Sequence, residues 1–336
     1  MSTSTYLIPS DTVRYLGNNQ ERVRDCKNLA LLMARYIPNE AIVREKVPQG
    51  TPGARRDEVW SSFWLKETCK RFTAEPNSEI RKLVDAGYAR WQQQVGTAVK
   101  FKATLQSRLI VGLGGKGPLE IGITLQHVTG LPIIPGSALK GLSRAYGLLT
   151  IAAQLNVQVL TGADWQAWQR EHPNDRTPLE YLDEALAASD DTRKESMSAE
   201  WVAALKALPE AEYFRTAFGS QEKAGVCQFY DSVVAKPPPK KSLFEADVMT
   251  PHFRKYYEGE GKSAPHDGDS PNPVMFIAVA SMTTFAFALG LRRSVQNDAV
   301  AQDARNQAGR WLEAGLSELG IGSKTAAGYG AFALSN

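Results

Sequence analysis

The spacing of apolar side chains changes period near residue 100, and that change divides the chain. Before it, the patterns over 19–36, 57–72 and 78–95 repeat as amphipathic helices do, separated by a Pro- and Gly-containing stretch at 46–55. From Phe101 the period is two: Phe101, Ala103 and Leu105, then Leu109, Val111 and Leu113, alternate with polar or small residues, as a half-buried strand requires. A glycine loop at 112–117 follows, then 121–127 as a hairpin partner, then a helix opening at Ser137. Residues 156–217, with Trp165, Trp168, Trp201 and many alanines, read as further helices. The run 227–234 is strand-like and ends in the stiff basic linker Lys236-Pro-Pro-Pro-Lys-Lys241. Residues 244–273 show no clear period and read as a long surface loop. Two adjacent core strands come next, 274–280 and then Thr283, Phe285, Phe287, Leu289 and Leu291 alternating with Ala286, Ala288 and Gly290. Asn297 and Asp298 cap a helix striped by Val300, Ala304, Ala308, Trp311 and Leu319, Gly320 is its natural C′ residue, and a short apolar strand, 331–334, closes the chain.

Strand, helix, strand, strand, helix, strand is the ferredoxin-like order, so the expected class is α+β. The expected organisation is an N-terminal helical extension over 1–98 and a ferredoxin-like domain over 99–336, interrupted by insertions at 156–217 and 236–273. At 336 residues and 43% hydrophobic content the chain can bury one large core or two smaller ones. Cys26, Cys69 and Cys227 are scattered, form no C-x-x-C and are odd in number, which fits reduced thiols in a cytoplasm and neither a disulfide framework nor a zinc site. The start lacks a basic, then apolar, leader pattern, and no run of 18 apolar residues is present, so no membrane partner is expected.

Two segments carry chemistry. The first is Gly320-Ile-Gly-Ser-Lys324-Thr-Ala-Ala-Gly328-Tyr329-Gly330. Its glycines allow positive φ and close approach to a ligand, while consecutive N–H groups and one lysine suit a phosphate. It is no nucleotide-cradling P-loop, because that motif needs Gly directly before Lys and here Ser323 stands there. The second is Ile133-Ile-Pro135-Gly136-Ser137-Ala-Leu-Lys140-Gly-Leu-Ser-Arg144-Ala-Tyr146. Ser137 is the expected N-cap. At 100° per residue, Leu139, Leu142, Tyr146 and Leu149 share a core face, and Ser137, Lys140 and Arg144 share an opposite, basic arc. A helix N-terminus with two cations on its first turns is a credible contact for a phosphate backbone. A net charge of +3 and a pI near 8.6 are only mildly basic, so any nucleic-acid contact must come from such local clusters.

Together these segments resemble the RAMP superfamily of CRISPR-associated proteins, whose folds are ferredoxin-like (RRM-like) with a C-terminal glycine-rich loop. The ordered set Gly112–Gly117, Ile134–Gly141, Phe218-Gly-Ser220, Phe229-Tyr-Asp231-Ser, Asp247-Val-Met-Thr-Pro-His252-Phe and Gly320–Gly330 is similar, more narrowly, to the sixth-subunit family of type III-B (Cmr) effector complexes. That resemblance covers about residues 99–334. It implies a ribonucleoprotein subunit that binds crRNA without catalysis near the 3′ end of the backbone, beside other RAMP and small helical subunits, with target RNA as a further partner and antiviral defence as the role. It implies no cofactor, no metal and no catalytic residue. Carried over by position, the RNA-contact candidates are Lys116, Gly136, Ser137, Lys140, Arg144, Lys324, Thr325 and Tyr329, with Arg254 a weaker one beside Lys255, Tyr256 and Tyr257.

Other readings stay open at this level. Tyr329 is either a base-stacking platform or a core aromatic. Some RAMP proteins cleave RNA without metal, and His127 and His252 have the pKa range for that work. Asp231, Asp247, Asp267 and Asp269 lack the spacing of a calcium loop and fit a solvated acidic surface better. A scaffold without RNA contact would point the basic arc at acidic protein neighbours.

Overall fold

Before residue 100, four named helices lie among the described residues of the computed structural model, which describes residues 23–334 apart from 24, 44, 56–57, 115–121, 189–198, 251–255, 257–263, 265 and 267–272. They are α1 (Leu29–Arg35), α2 (Asn39–Ile42), α3 (Trp60–Lys70) and α4 (Glu79–Val95). Asn28 caps α1 by accepting from Leu31 N at 3.0 Å, and Ser78 caps α4 by accepting from Arg81 N at 3.2 Å. Then come β1 (Val99–Leu105), β2 (Ile133–Ile134), α5 (Gly136–Gln154), α6 (Gly162–Glu171), α7 (Pro178–Ala187), α8 (Ala199–Ala207) and α9 (Pro209–Phe218). The chain continues through β3 (Cys227–Phe229), β4 (Ser232–Lys236), β5 (Phe244–Met249), β6 (Val274–Val279), β7 (Thr284–Leu291), α10 (Ala299–Glu318) and β8 (Phe332–Leu334).

The main sheet runs β2-β4-β7-β1-β8, with β3 also on β7, and its pairings are antiparallel. Counting β1, β4, β7 and β8 as the four strands of the motif, the spatial order is fourth, first, third, second, with α10 between third and fourth. The ferredoxin-like α+β class is therefore the observed one.

Several expected elements fall elsewhere. Residues 274–280 do not join β7. They form β6, which pairs with β5 in a separate two-stranded sheet, so the stretch expected as one long loop begins with a strand. β1 stops at Leu105, and the continuation through Leu109 makes only a single bridge to Val279. Residues 122–127 form no hairpin with β1. Thr124 N donates to Val111 O at 2.6 Å and Leu125 bridges Pro132. The stripe of α10 is also rotated: Val300 and Leu319 are exposed, and Ala301, Leu312, Gly315 and Leu316 join Ala304, Ala308 and Trp311 inside.

Both faces of β7 are covered, which its sequence encodes by size. Phe285, Phe287 and Leu289 pack with Trp311, Leu312, Leu316 and Phe332 in the main core. Ala286 and Ala288 sit under α4, in a second cluster with Trp91 and Val95. Small residues on that face let the helix approach. Trp91 is 5% exposed, and its indole N–H donates to Asp231 O at 2.8 Å, tying α4 to the turn between β3 and β4. On the core side α5 crosses α10 closely: a Cβ at Gly147 would lie 2.8 Å from the Trp311 ring, and Ser143 Oγ donates to Ala308 O at 2.8 Å.

Candidate nucleic-acid interface

The glycine loop after α10 is pinned at its base and open at its tip. Gly320 takes φ +72° as the helix ends, and Ile321 N then donates to Gly330 O at 3.0 Å, drawing the two ends of the loop together. Ser323 N donates to Ile110 O at 2.7 Å and Gly330 N to Arg108 O at 2.8 Å, so the base lies across residues 108–110. Gly322 (φ +93°) and Gly330 (φ +73°) have no room for a side chain there, since a Cβ would come within 3.0 Å of Ile110 O or Ile321 O.

At the tip, Lys324 adopts a left-handed conformation (φ 63°, ψ 31°) and is followed by the 3₁₀ turn Thr325–Ala327. Thr325 through Gly328 are exposed. Ala327 N and Tyr329 N both donate back to Lys324 O, at 2.9 and 3.3 Å. Among the described residues no main-chain oxygen accepts from Thr325 N or Ala326 N. A left-handed residue followed by right-handed ones makes successive N–H groups converge, the geometry of an anion-binding nest. The Lys324 ammonium lies 5.8 Å from the Phe276 ring centroid, close above β6.

Tyr329 belongs to the base. Its hydroxyl donates to Asp247 Oδ2, Arg108 Nη1 meets the same oxygen at 2.5 Å, and the Arg108 guanidinium stands 5.4 Å from the Tyr329 ring centroid. Burial, then the hydrogen bond and charge of Asp247, push the Tyr329 hydroxyl above its usual pKa, with Arg108 opposing. Of the two readings of Tyr329, the packed one describes its surroundings. Arg108 and Asp247 were not marked from sequence as parts of this loop.

The other predicted segment is arranged differently. Pro135, not Ser137, is the N-cap of α5, and Ser137 lies exposed one residue inside the helix. The expected side-chain cap is replaced by a distant carboxylate: Gly136 N donates to Asp231 Oδ1 at 2.7 Å. A Cβ at Gly136 would lie within 3.0 Å of Phe229 O, so this glycine serves the contact of helix start and strand. Arg144 pairs with both oxygens of Asp183, at 2.7 and 3.1 Å, and stands 5.2 Å from the Phe214 ring centroid. Lys140 is half-buried near the Cys227 thiol.

These segments occupy opposite ends of the sheet. The glycine loop adjoins the C-terminal end of β1, where Gln106 N donates to Ala331 O at 3.0 Å. Gly136 adjoins Phe229, which pairs with Leu289, whose partner on β1 is Val99. The 20-residue α10 runs between these ends and is about 30 Å long. Lys116, Arg254 and His252 lie outside the described residues. His127 is exposed in the turn 127–129. Asp231 and Asp247 are engaged as described, and the described residues hold no cluster of three metal-ligating side chains and no helix long and apolar enough to cross a membrane.

The RAMP superfamily profile matches residues 102–333. The CRISPR system Cmr subunit Cmr6 of Pyrococcus furiosus is 32% identical over 243 residues, which are 69% of this chain and 67% of that protein. The CMR subunit Cmr6 of Saccharolobus solfataricus is 22% identical over 71% of this chain, and the match spans 58% of that relative's length. Among solved structures, a crystal structure of Cmr6 from Pyrococcus furiosus aligns with TM-score 0.41 at 26% identity, covering 71% of this chain and 98% of that one. A chain of the Type III-B Cmr-beta complex bound to cognate target RNA, solved by cryo-EM, aligns with TM-score 0.49 at 18% identity, covering 82% and 72%.

Proposed function

This chain belongs to the RAMP superfamily, and within it to the Cmr6 family of CRISPR system subunits, and from that membership we propose that it is a non-catalytic, crRNA-binding subunit of a type III-B effector complex. It stands at the 3′ end of the crRNA backbone, works in the cytoplasm, and supports antiviral binding of target RNA beside other RAMP and small helical subunits. The observation that carries the RNA contact is the loop tip, where the N–H groups of Thr325 and Ala326, without a main-chain acceptor among the described residues, and the Lys324 ammonium offer one phosphate seat. Sheets of the RRM kind read bases on an open face. Here α4 covers that face over β4 and β7, so stacking on the sheet gives way to backbone holding by the loop. Phosphate holding asks for no bond breaking, and Asp231 and Asp247, two of the carboxylates weighed for a metal site, are spent on Gly136 and on Arg108 with Tyr329.

Alanine substitution tests this in the assembled complex. Lys324→Ala weakens crRNA association about fivefold and lowers the slope of log affinity against log salt by about 0.7, the value for one phosphate of a single strand. Arg144→Ala, which removes a cation already paired with Asp183, leaves that slope unchanged. Unchanged affinity and slope in Lys324→Ala would favour a protein scaffold. Cleavage of labelled repeat RNA by the purified protein, lost in His252→Ala, would overturn the non-catalytic reading.

A further inference from the structure

A polar pocket of about 270 Å3 lies where the end of α4 meets the start of α10, far from the glycine loop. Thr97, Tyr230, Gly290, Gln296, Asn297 and Arg305 line most of it. Gly290 lets the Tyr230 ring lie close against β7: a Cβ there would lie 3.0 Å from Tyr230 Cε2, and the ring would have to give by a few tenths of an ångström. The pocket's charge comes from Arg305, half-buried, whose guanidinium among the described residues hydrogen-bonds only the neutral amide of Asn306, Nε at 3.3 Å and Nη2 at 3.0 Å. Among the described residues no carboxylate lines the pocket.

Burial pushes the neighbouring Cys227 thiol of β3 up to about 12, so it stays neutral and does not cancel the charge of Arg305. Arg292 and Arg293 follow Leu291 of the lining in sequence and are exposed.

We propose that this pocket is a second phosphate seat for single-stranded RNA, with Arg305 as its principal ligand. The proposal rests on the RNA-binding reading above and adds a second anchor to it. Arg305 and the end of α10 are about 20 Å apart along the helix, so one strand held at the pocket and at Lys324 would run along the α10 side of the molecule. The pocket's shape favours RNA over a protein partner. It is concave and mostly polar, with Tyr230 beside the polar groups rather than a flat apolar centre of the kind protein interfaces use, and a guanidinium with no ion pair among the described residues in such a recess matches phosphate geometry.

The test measures anisotropy of a fluorescein-labelled, unstructured single-stranded RNA with the full chain over a range of salt. Arg305→Gln is expected to weaken binding about fivefold and to lower the salt slope by about 0.7, Arg305→Lys to retain the slope, and Arg305→Gln with Lys324→Ala to lose about twice as much slope. Matching thermal unfolding midpoints for Arg305→Gln and Arg305→Lys show that the comparison is between folded chains. If Arg305→Gln keeps the parent slope while Lys324→Ala loses it, the pocket proposal is overturned and the loop reading stands. If neither loses it, the loop reading falls as well. Normal RNA binding by Arg305→Gln together with failed assembly into the effector complex would also overturn the proposal, and would assign the pocket to an acidic side chain of a protein neighbour.

Discussion

The two ends of the main sheet begin from similar materials, glycines beside a helix terminus with nearby cations, and differ in where the protein places its own carboxylate. At the α5 end, Asp231 reaches the amide of Gly136, and Asp183 neutralises Arg144. At the α10 end, Asp247 stays beneath the loop with Tyr329 and Arg108, and the amides of Thr325 and Ala326 above it have no main-chain acceptor among the described residues. A motif that attracts anions is therefore open or closed according to the nearest internal acid. Sequence proximity of glycine and lysine does not decide this.

The largest effect is expected where α4 holds the α5 end together. Trp91→Ala removes a side chain that is 5% exposed and its bond to Asp231 O, and should cost about 3–5 kcal/mol in a denaturant titration. RNA binding at the loop should survive in the folded fraction, because the loop's anchors lie at the other end. Loss of both properties together would break the comparison. Next is Gly330→Ala, which puts a methyl group against Ile321 O in a left-handed backbone and should cost about 2–4 kcal/mol. This variant should lose loop binding while the bond between Gly136 and Asp231 persists.

A smaller effect concerns the pillar beneath the loop. Tyr329→Phe deletes a hydrogen bond to an ionised carboxylate and should cost about 1.5 kcal/mol at neutral pH. Burial and Asp247 raise the folded pKa of Tyr329 above its unfolded value near 10, so the unfolded chain loses its proton first as pH rises. The stability due to protonated Tyr329 is thus complete below pH ~10 and is lost as pH climbs through the folded value. Unfolding measured from neutral to alkaline pH should show a fall in the parent that is shallower in Tyr329→Phe.

Much of the fold was legible because its elements repeat locally. The alternation of Phe285, Phe287 and Leu289 with Ala286 and Ala288 marks β7, and Asp298 marks the start of α10, accepting from Ala301 N at 3.1 Å. That the alanine face lies under α4 could not be read, since small residues fit an exposed surface as well as a close helix contact. β5 was hidden because Phe244–Met249 pairs only with β6, across a segment rich in glycine and acids that reads as loop. Two partners of the candidate segments, Asp231 and Asp247, were hidden for a related reason. Asp231 caps Gly136 across 95 positions and Asp247 meets Tyr329 across 82, distances at which a lone aspartate carries no local signal. The glycine loop was recognisable since its geometry is set by its own glycines, whereas the basic arc of α5 was judged without the acids that meet it.

Amide hydrogen exchange of the full chain, with and without a saturating single-stranded RNA, tests the loop most directly. The N–H groups of Thr325 and Ala326, exposed and without main-chain acceptors, are expected to exchange fast in the free chain and to slow at least tenfold with RNA bound, while Gly136, held by Asp231, changes little. Unchanged exchange at Thr325 and Ala326 with RNA bound would contradict the assignment of the loop tip as the phosphate seat.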